Sequence, residues 1–228
     1  MVNIDKVYQK VLAIANKEQR GYVTPQEFNL FADQSQMEIF EQYFYDLDQF
    51  ERRIDSDIIE LLDEKMQIFK QASTPVNHEE SIPSGTYKID DVWIKYPGEK
   101  RSIVQRISRN EVQSIKSSPL LRTHLAPTYY LIGNTIRFVD PLSANGEWRW
   151  NLIRKPVSPK WTYMIDPISK SALYNSTAGD HKHFELHSSE ESELVYRILT
   201  LAGIAIQKPE LSQMAVGLQT QKEQIEKQ

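Results

Sequence analysis

The chain has 228 residues, of which 25% are charged and 40% hydrophobic, with a net charge of −4. That length and balance fit a globular chain with a sizeable core, in one domain or two, and leave no basic footprint for a dedicated DNA binder. Cysteine is absent, which excludes disulfides and thiolate chemistry, and no apolar run approaches the ~18 residues that would span a bilayer.

The N-terminal apolar positions are interleaved with Asp5, Lys6, Lys10 and Lys17, a pattern unlike a signal peptide. Residues 3 to about 19 read as a helix with Ile4, Val7, Tyr8, Val11, Leu12 and Ala15 on one face, closed by Gly21. Thr24-Pro25-Gln26-Glu27 is a complete helix start: Thr as N-cap, Pro at the first helical position, Glu at the third. The helix behind it carries Phe28, Phe31, Met37, Phe40, Tyr43, Phe44 and Leu47, and helical spacing continues to about residue 71. Asp57 and Glu60 restate a cap, so the spacing predicts a break near Arg53–Ser56. Segment 73–85 is turn chemistry and marks the passage into a β-rich half.

That half alternates with period two. Thr86–Ile89 and Val92–Tyr96 read as strands joined by a turn at Asp90-Asp91, and Ile103–Ile107 as another. Ser108 and Glu111 cap a short helix ending near Ser117. Tyr129–Ile132 and Thr135–Val139 flank Gly133-Asn134, a two-residue hairpin turn in which glycine supplies the positive φ. Trp148–Arg154 alternates again and stops before Pro156; Tyr163 and Phe184–Leu186 add edge strands.

Ser188 with Glu191 reads as a capping box opening a helix that is apolar on nearly every side from Leu194 to Ile206, hence buried. Beyond Pro209 the chain is polar, with Leu211, Met214, Leu218 and Ile225 on a 3–4 spacing and Gln221 at the missing step. This narrow seam predicts a terminal helix that needs another surface to lie on. The expected fold is α+β, with an N-terminal helical bundle over 1–72, a mostly antiparallel β region over 73–187, and C-terminal helices over 188–228. Those last helices pack back on the first, apart from the polar terminal one.

Candidate chemistry is sparse. His181, His183 and His187 form a histidine cluster that could hold zinc, but no fourth ligand lies at a recognisable spacing. Asp46-Leu47-Asp48 begins like a calcium loop and fails at Phe50, Glu51 and Asp57. The acidic pairs Glu79/Glu80, Asp90/Asp91 and Glu190/Glu191 fall in turns and caps, where they serve helix dipoles and solubility. No nucleophile elbow, P-loop or dinucleotide fingerprint is present. Trp148 and Trp150 share one face of a strand and flank Arg149. That pattern suits stacking on single-stranded nucleic acid, or a sheet core with an aromatic contact surface.

Four segments carry a resemblance. RGYVTPQEFNLFADQSQ (Arg20 to Gln36) resembles the opening of structural proteins of tailed bacteriophages, including crAss-like and marine short-tailed ones. PTYYLIGNTIRFVDP (Pro127 to Pro141) and WNLIRKPVSPKW (Trp150 to Trp161) follow in the same order, and ELVYRILTLAGIAI (Glu193 to Ile206) is similar to the C-terminal helices of head-to-tail adaptor, or neck ring, proteins. The resemblance implies a non-enzymatic virion protein without cofactor or bound metal, located in the neck or tail and, during assembly, in the host cytoplasm. Its implied partners are copies of itself in a ring, typically twelve-fold, the portal protein, the next tail or ring protein and the passing genomic DNA, held without sequence specificity; no membrane is involved. In that setting Leu211, Met214, Leu218, Ile225, Trp148 and Trp150 are the expected contact residues. The alternative is a single-stranded nucleic-acid module built on Trp148, Arg149 and Trp150.

Overall fold

The computed structural model describes residues 1–17, 23–53, 56–73, 79–96, 98, 100–117, 127–139, 147–205, 213 and 215–221. In chain order these form α1 (Ile4–Lys17), α2 (Pro25–Arg53), α3 (Ser56–Met66), a 3-10 turn at Gln67–Phe69, β1 (Lys70–Ala72), β2 (Glu79–Ser81) and β3 (Thr86–Lys95). Then follow β4 (Ser102–Ile103), β5 (Gln105–Arg106), α4 (Arg109–Ser117), β6 (Thr128–Ile132), β7 (Thr135–Val139), β8 (Glu147–Arg154), β9 (Tyr163–Ile165), β10 (Ala172–Tyr174), a 3-10 turn at Ser188–Glu190 and α5 (Glu191–Ala205). The class is α+β, with helices at both ends and mostly antiparallel sheets between them. Among the described residues no helix is long and apolar enough to cross a membrane.

The chain divides into two compact units, one discontinuous (residues 1–68 and 156–228) and one formed by residues 69–155. The second unit ends at Lys155, so β9 and β10 of the expected 73–187 β region fall in the first unit. Residues 156–187 belong with the helices because α2 holds them by side-chain amides. Asn29 accepts from the Trp161 N–H (2.8 Å) and donates to its carbonyl (3.1 Å). Two turns along, Gln36 donates to the Val157 carbonyl (2.9 Å) and accepts from the Glu185 N–H (2.9 Å). Each amide supplies the donor and acceptor that a neighbouring strand would, so an irregular segment lies on a helix without orphaned backbone groups.

Within this helical unit α5 packs on α1 and α2, and α3 on α2. The core is Ile4, Val7, Tyr8, Val11 and Ala15 of the predicted α1 face (Leu12 is half-buried) with Phe28, Ile39 and Phe40 of α2, and with Leu194, Ile198, Leu199 and Ala202 of α5. The Thr24 cap forms as expected: Glu27 accepts from the Thr24 N–H (3.0 Å) and Thr24 Oγ1 accepts from the Glu27 N–H (3.2 Å). The Thr24 N–H, and then the Thr24 hydroxyl (2.7 Å), donate to the Glu27 carboxyl and hold it below its usual value. The Ser188/Glu191 box does not form. His187 caps instead, its Nδ1 accepting from the Ser189 N–H (3.3 Å), while Glu191 turns to two ammonium groups of α1, Lys10 and Lys6 (3.1 Å to Lys6). Two cations offer a carboxylate more than one backbone amide does. The break expected near Arg53–Ser56 coincides with the end of α2 and the start of α3, on either side of residues 54–55, which lie outside the described set.

The second unit is two four-stranded sheets, ordered β1-β8-β3-β4 and β2-β7-β6-β5, with β5–β6 parallel and the other pairs antiparallel. They share one core: Val92, Ile94, Trp148, Trp150 and Leu152 from the first sheet, Tyr129, Ile136 and Phe138 from the second, and Val104 between β4 and β5, where the chain changes sheets. The strand expected over Ile103–Ile107 is thus two short ones in different sheets. Asp90-Asp91 is not a turn. Both flanking runs pair with β8, Ile89 opposite Leu152 and Val92 opposite Trp150, so three steps on β3 match two on β8. The extra residue is a bulge that returns Val92 and Ile94 to the inner face after Ile89. The β6–β7 hairpin closes Ile132 on Thr135 with Gly133 at φ +56°, as the sequence predicts.

Candidate functional site

Trp148 and Trp150 are each 1% exposed, and Trp148 stacks on Phe138 with centroids 4.4 Å apart. The Trp150 indole N–H donates to Glu80 (2.9 Å). Their expected place at a contact surface is corrected: alternation along β8 turns both indoles inward, and neither offers a face to a base or a partner. Arg149 points to the other side, where its guanidinium and that of Arg101 lie 5.5 and 4.3 Å from the Trp93 ring centre. Of the terminal seam, Leu211, Met214 and Ile225 lie outside the described residues. Leu218, in helical residues 215–221, is 36% exposed.

The histidines do not converge on one point. His183 Nδ1 accepts from the Ile4 N–H at the start of α1 (3.3 Å), so its proton sits on Nε2, which faces His181 Nε2 at 3.4 Å. The Tyr174 hydroxyl lies 3.0 Å from that same His181 nitrogen. Burial, then the His181 charge and the N-terminal ammonium, lower the His183 pKa. His187 serves its cap. Among the described residues no three His, Cys, Asp or Glu side chains stand ready to hold a metal. Asp46 and Asp48 lie on the uninterrupted helix α2 rather than in a loop, and Glu79 pairs across strands with Arg137 (2.9 Å).

Two surfaces of the helical unit stand out instead. The first is a cleft of about 300 Å³ bounded by α2, α3 and the start of α5, with Ile39, Tyr43, Ile58, Leu61 and Leu62 as its apolar lining. Its floor holds a buried ion pair, Lys65–Glu190 at 2.6 Å, with side chains 10% and 2% exposed. Beside it, Arg197 donates to Glu193 (2.6 Å) and to the Gln42 side-chain amide oxygen, tying α5 to α2. The second surface is the β9–β10 hairpin. Tyr163 and Tyr174 stack on buried Trp161, both at 5.8 Å, and the Trp161 indole N–H donates to Asp5 (2.9 Å). Met164 and Leu173, paired across the strands, face outward at 56% and 51% exposure. At the tip, Asp166 accepts from the N–H groups of Ile168 (3.2 Å) and Ser169 (3.3 Å) and from the Ser169 hydroxyl, and these bonds, led by that hydroxyl, lower its pKa. The knotted turn leaves Ile165 66% and Ile168 92% exposed.

Compared with protein-family models and with curated proteins, the chain matches none. Sequence reasoning missed both surfaces. The apolar run Tyr163–Ile165 and the turn letters Asp166-Pro167 are the available signals for the hairpin. The cleft had no local signal, because its walls come from segments more than a hundred residues apart.

Proposed function

We propose that this chain is a non-enzymatic structural subunit of a tailed-phage head-to-tail connector, forming a ring that joins portal to tail around the DNA channel. The resemblance of four segments to phage adaptor proteins supports the reading. The observation that carries it is the presence of two unlike apolar surfaces, hairpin and cleft, at different places on one helical unit. A ring requires a heterologous contact, in which one patch meets a different patch on the next copy.

The test is native mass measurement and axial imaging of the purified chain, with peptide identification in purified phage particles. Closed assemblies of one copy number and presence in the virion are expected. Absence from particles, together with a monomer at high concentration, overturns the proposal.

A further inference from the structure

We infer that the β unit binds single-stranded nucleic acid on the outer face of the β1-β8-β3-β4 sheet, around Trp93; this goes beyond the ring reading and does not need it. The charge of the whole chain conceals the first observation. Residues 69–155 hold 13 Lys and Arg against 8 Asp and Glu, a net +5, while the rest of the chain holds 14 against 23, a net −9. The total of −4 is thus an acidic helical unit carrying a basic insertion, and a basic unit is the electrostatic footprint of a polyanion site.

The second observation is how that charge is arranged. Trp148 and Trp150 face the core, so Arg149 between them faces out; Val92 and Ile94 fix Trp93 the same way. Register sets Ile103, Trp93 and Arg149 side by side across β4, β3 and β8. The row is an aliphatic side chain 85% exposed, an aromatic ring and a cation, with exposed Lys95 two residues beyond Trp93 on the same face. Arg101 lies 4.3 Å from the Trp93 ring centre and makes no ion pair among the described residues. Glu147, opposite Lys95, comes no nearer to Arg149 than 3.9 Å and is 60% exposed. Other described acids of the unit are engaged elsewhere: Glu79 by Arg137, Glu80 by the Trp150 indole and Glu111 by the Ser108 cap, while Asp90 and Asp91 sit in the β3 bulge. The indole holds two guanidinium groups on a flat surface, where their N–H groups can meet phosphate oxygens in pairs. Ring and cations together select the occupant. A duplex hides its base faces and leaves Trp93 and Ile103 without a partner. A single strand offers bases to them and phosphates to Arg101, Arg149 and Lys95.

The experiment is fluorescence anisotropy of a labelled oligothymidylate of about 20 nucleotides with the full chain across a salt series. Oligouridylate, a DNA duplex of the same length and inorganic polyphosphate are run beside it. Wild type is expected to bind the single strands at low salt, more tightly than the duplex, and to release them as salt rises. The tighter of the two strands identifies DNA or RNA as the source. Trp93→Ala is expected to weaken binding roughly 5- to 150-fold, and Arg101→Ala to reduce the salt slope by about 1. Arg101 is exposed with no ion pair to lose, so that variant keeps the fold; unchanged circular dichroism verifies both. Lys170→Ala, an exposed cation of the helical unit, is expected to change nothing. No binding at low salt, or variants at Trp93 and Arg101 that bind like wild type, overturns the inference. Polyphosphate or duplex held as tightly as oligothymidylate also overturns it, in favour of a general polyanion surface. Copy number and virion membership are read from native mass and from particles, so the ring reading and this one fail separately.

Discussion

At the scale of single residues, two polar arrangements mark the helical unit, one buried and one half-buried. Lys65 and Glu190 neutralise each other with almost no solvent to screen them. Removing the Lys65 ammonium leaves the Glu190 carboxylate buried without its counter-charge, which costs far more than the pair contributes. Lys65→Met is expected to lower stability by about 3–5 kcal/mol in urea unfolding, and Lys65→Met with Glu190→Leu to recover most of it. His183 gives a pH signature. Above its ordinary value of 6.5 both folded and unfolded forms are neutral. As pH falls below that, the unfolded chain takes up a proton that the folded chain resists, so stability drops until the depressed folded value is passed. His183→Asn keeps an acceptor for the Ile4 N–H and does not titrate. The expected outcome is a flatter urea midpoint against pH between 7 and 5 than in wild type.

At the scale of elements, the turns and caps determine where each run stops and the partner strand determines how it is used. The β6–β7 turn needs a left-handed residue at Gly133, where φ is +56° and a Cβ would meet nothing, so the penalty for a side chain is conformational rather than steric crowding. Gly133→Val is expected to destabilise the β unit by roughly 1–2 kcal/mol or more, read as a lower thermal midpoint of its tryptophan signal. The cap at Thr24 and the hairpin at Gly133-Asn134 were legible because each is closed within four residues. The bulge at Asp90-Asp91 was not, because two acidic residues between apolar runs spell a turn locally. It takes pairing of both runs with β8 to make them an extra residue in one strand.

At the scale of the whole molecule, the chain leaves the helical unit at Ile68 and returns at Pro156, so the β unit is a continuous insertion with its own core. A fragment of residues 69–155 is expected to fold by itself and keep the near-ultraviolet dichroism of Trp148 stacked on Phe138. A featureless spectrum would count against an autonomous core. The helical unit lacks that independence along the chain: α5 closes on α1 and α2, which lie near the other end of the sequence.

By itself the sequence determined the α+β class, the apolar faces of α1 and α5, the Thr24 and Ser108 caps, and the β6–β7 hairpin. Each of these follows from periodicity or from hydrogen bonds closed between near neighbours. Tertiary structure decided that Trp148 and Trp150 are core while Ile168 is surface, that Asn29 and Gln36 hold residues 156–187 to the helices, and that Glu191 serves α1 rather than its own cap. Those outcomes are competitions between a local partner and a distant one. The distant partner's identity is set by chain closure, which no window of neighbouring residues contains.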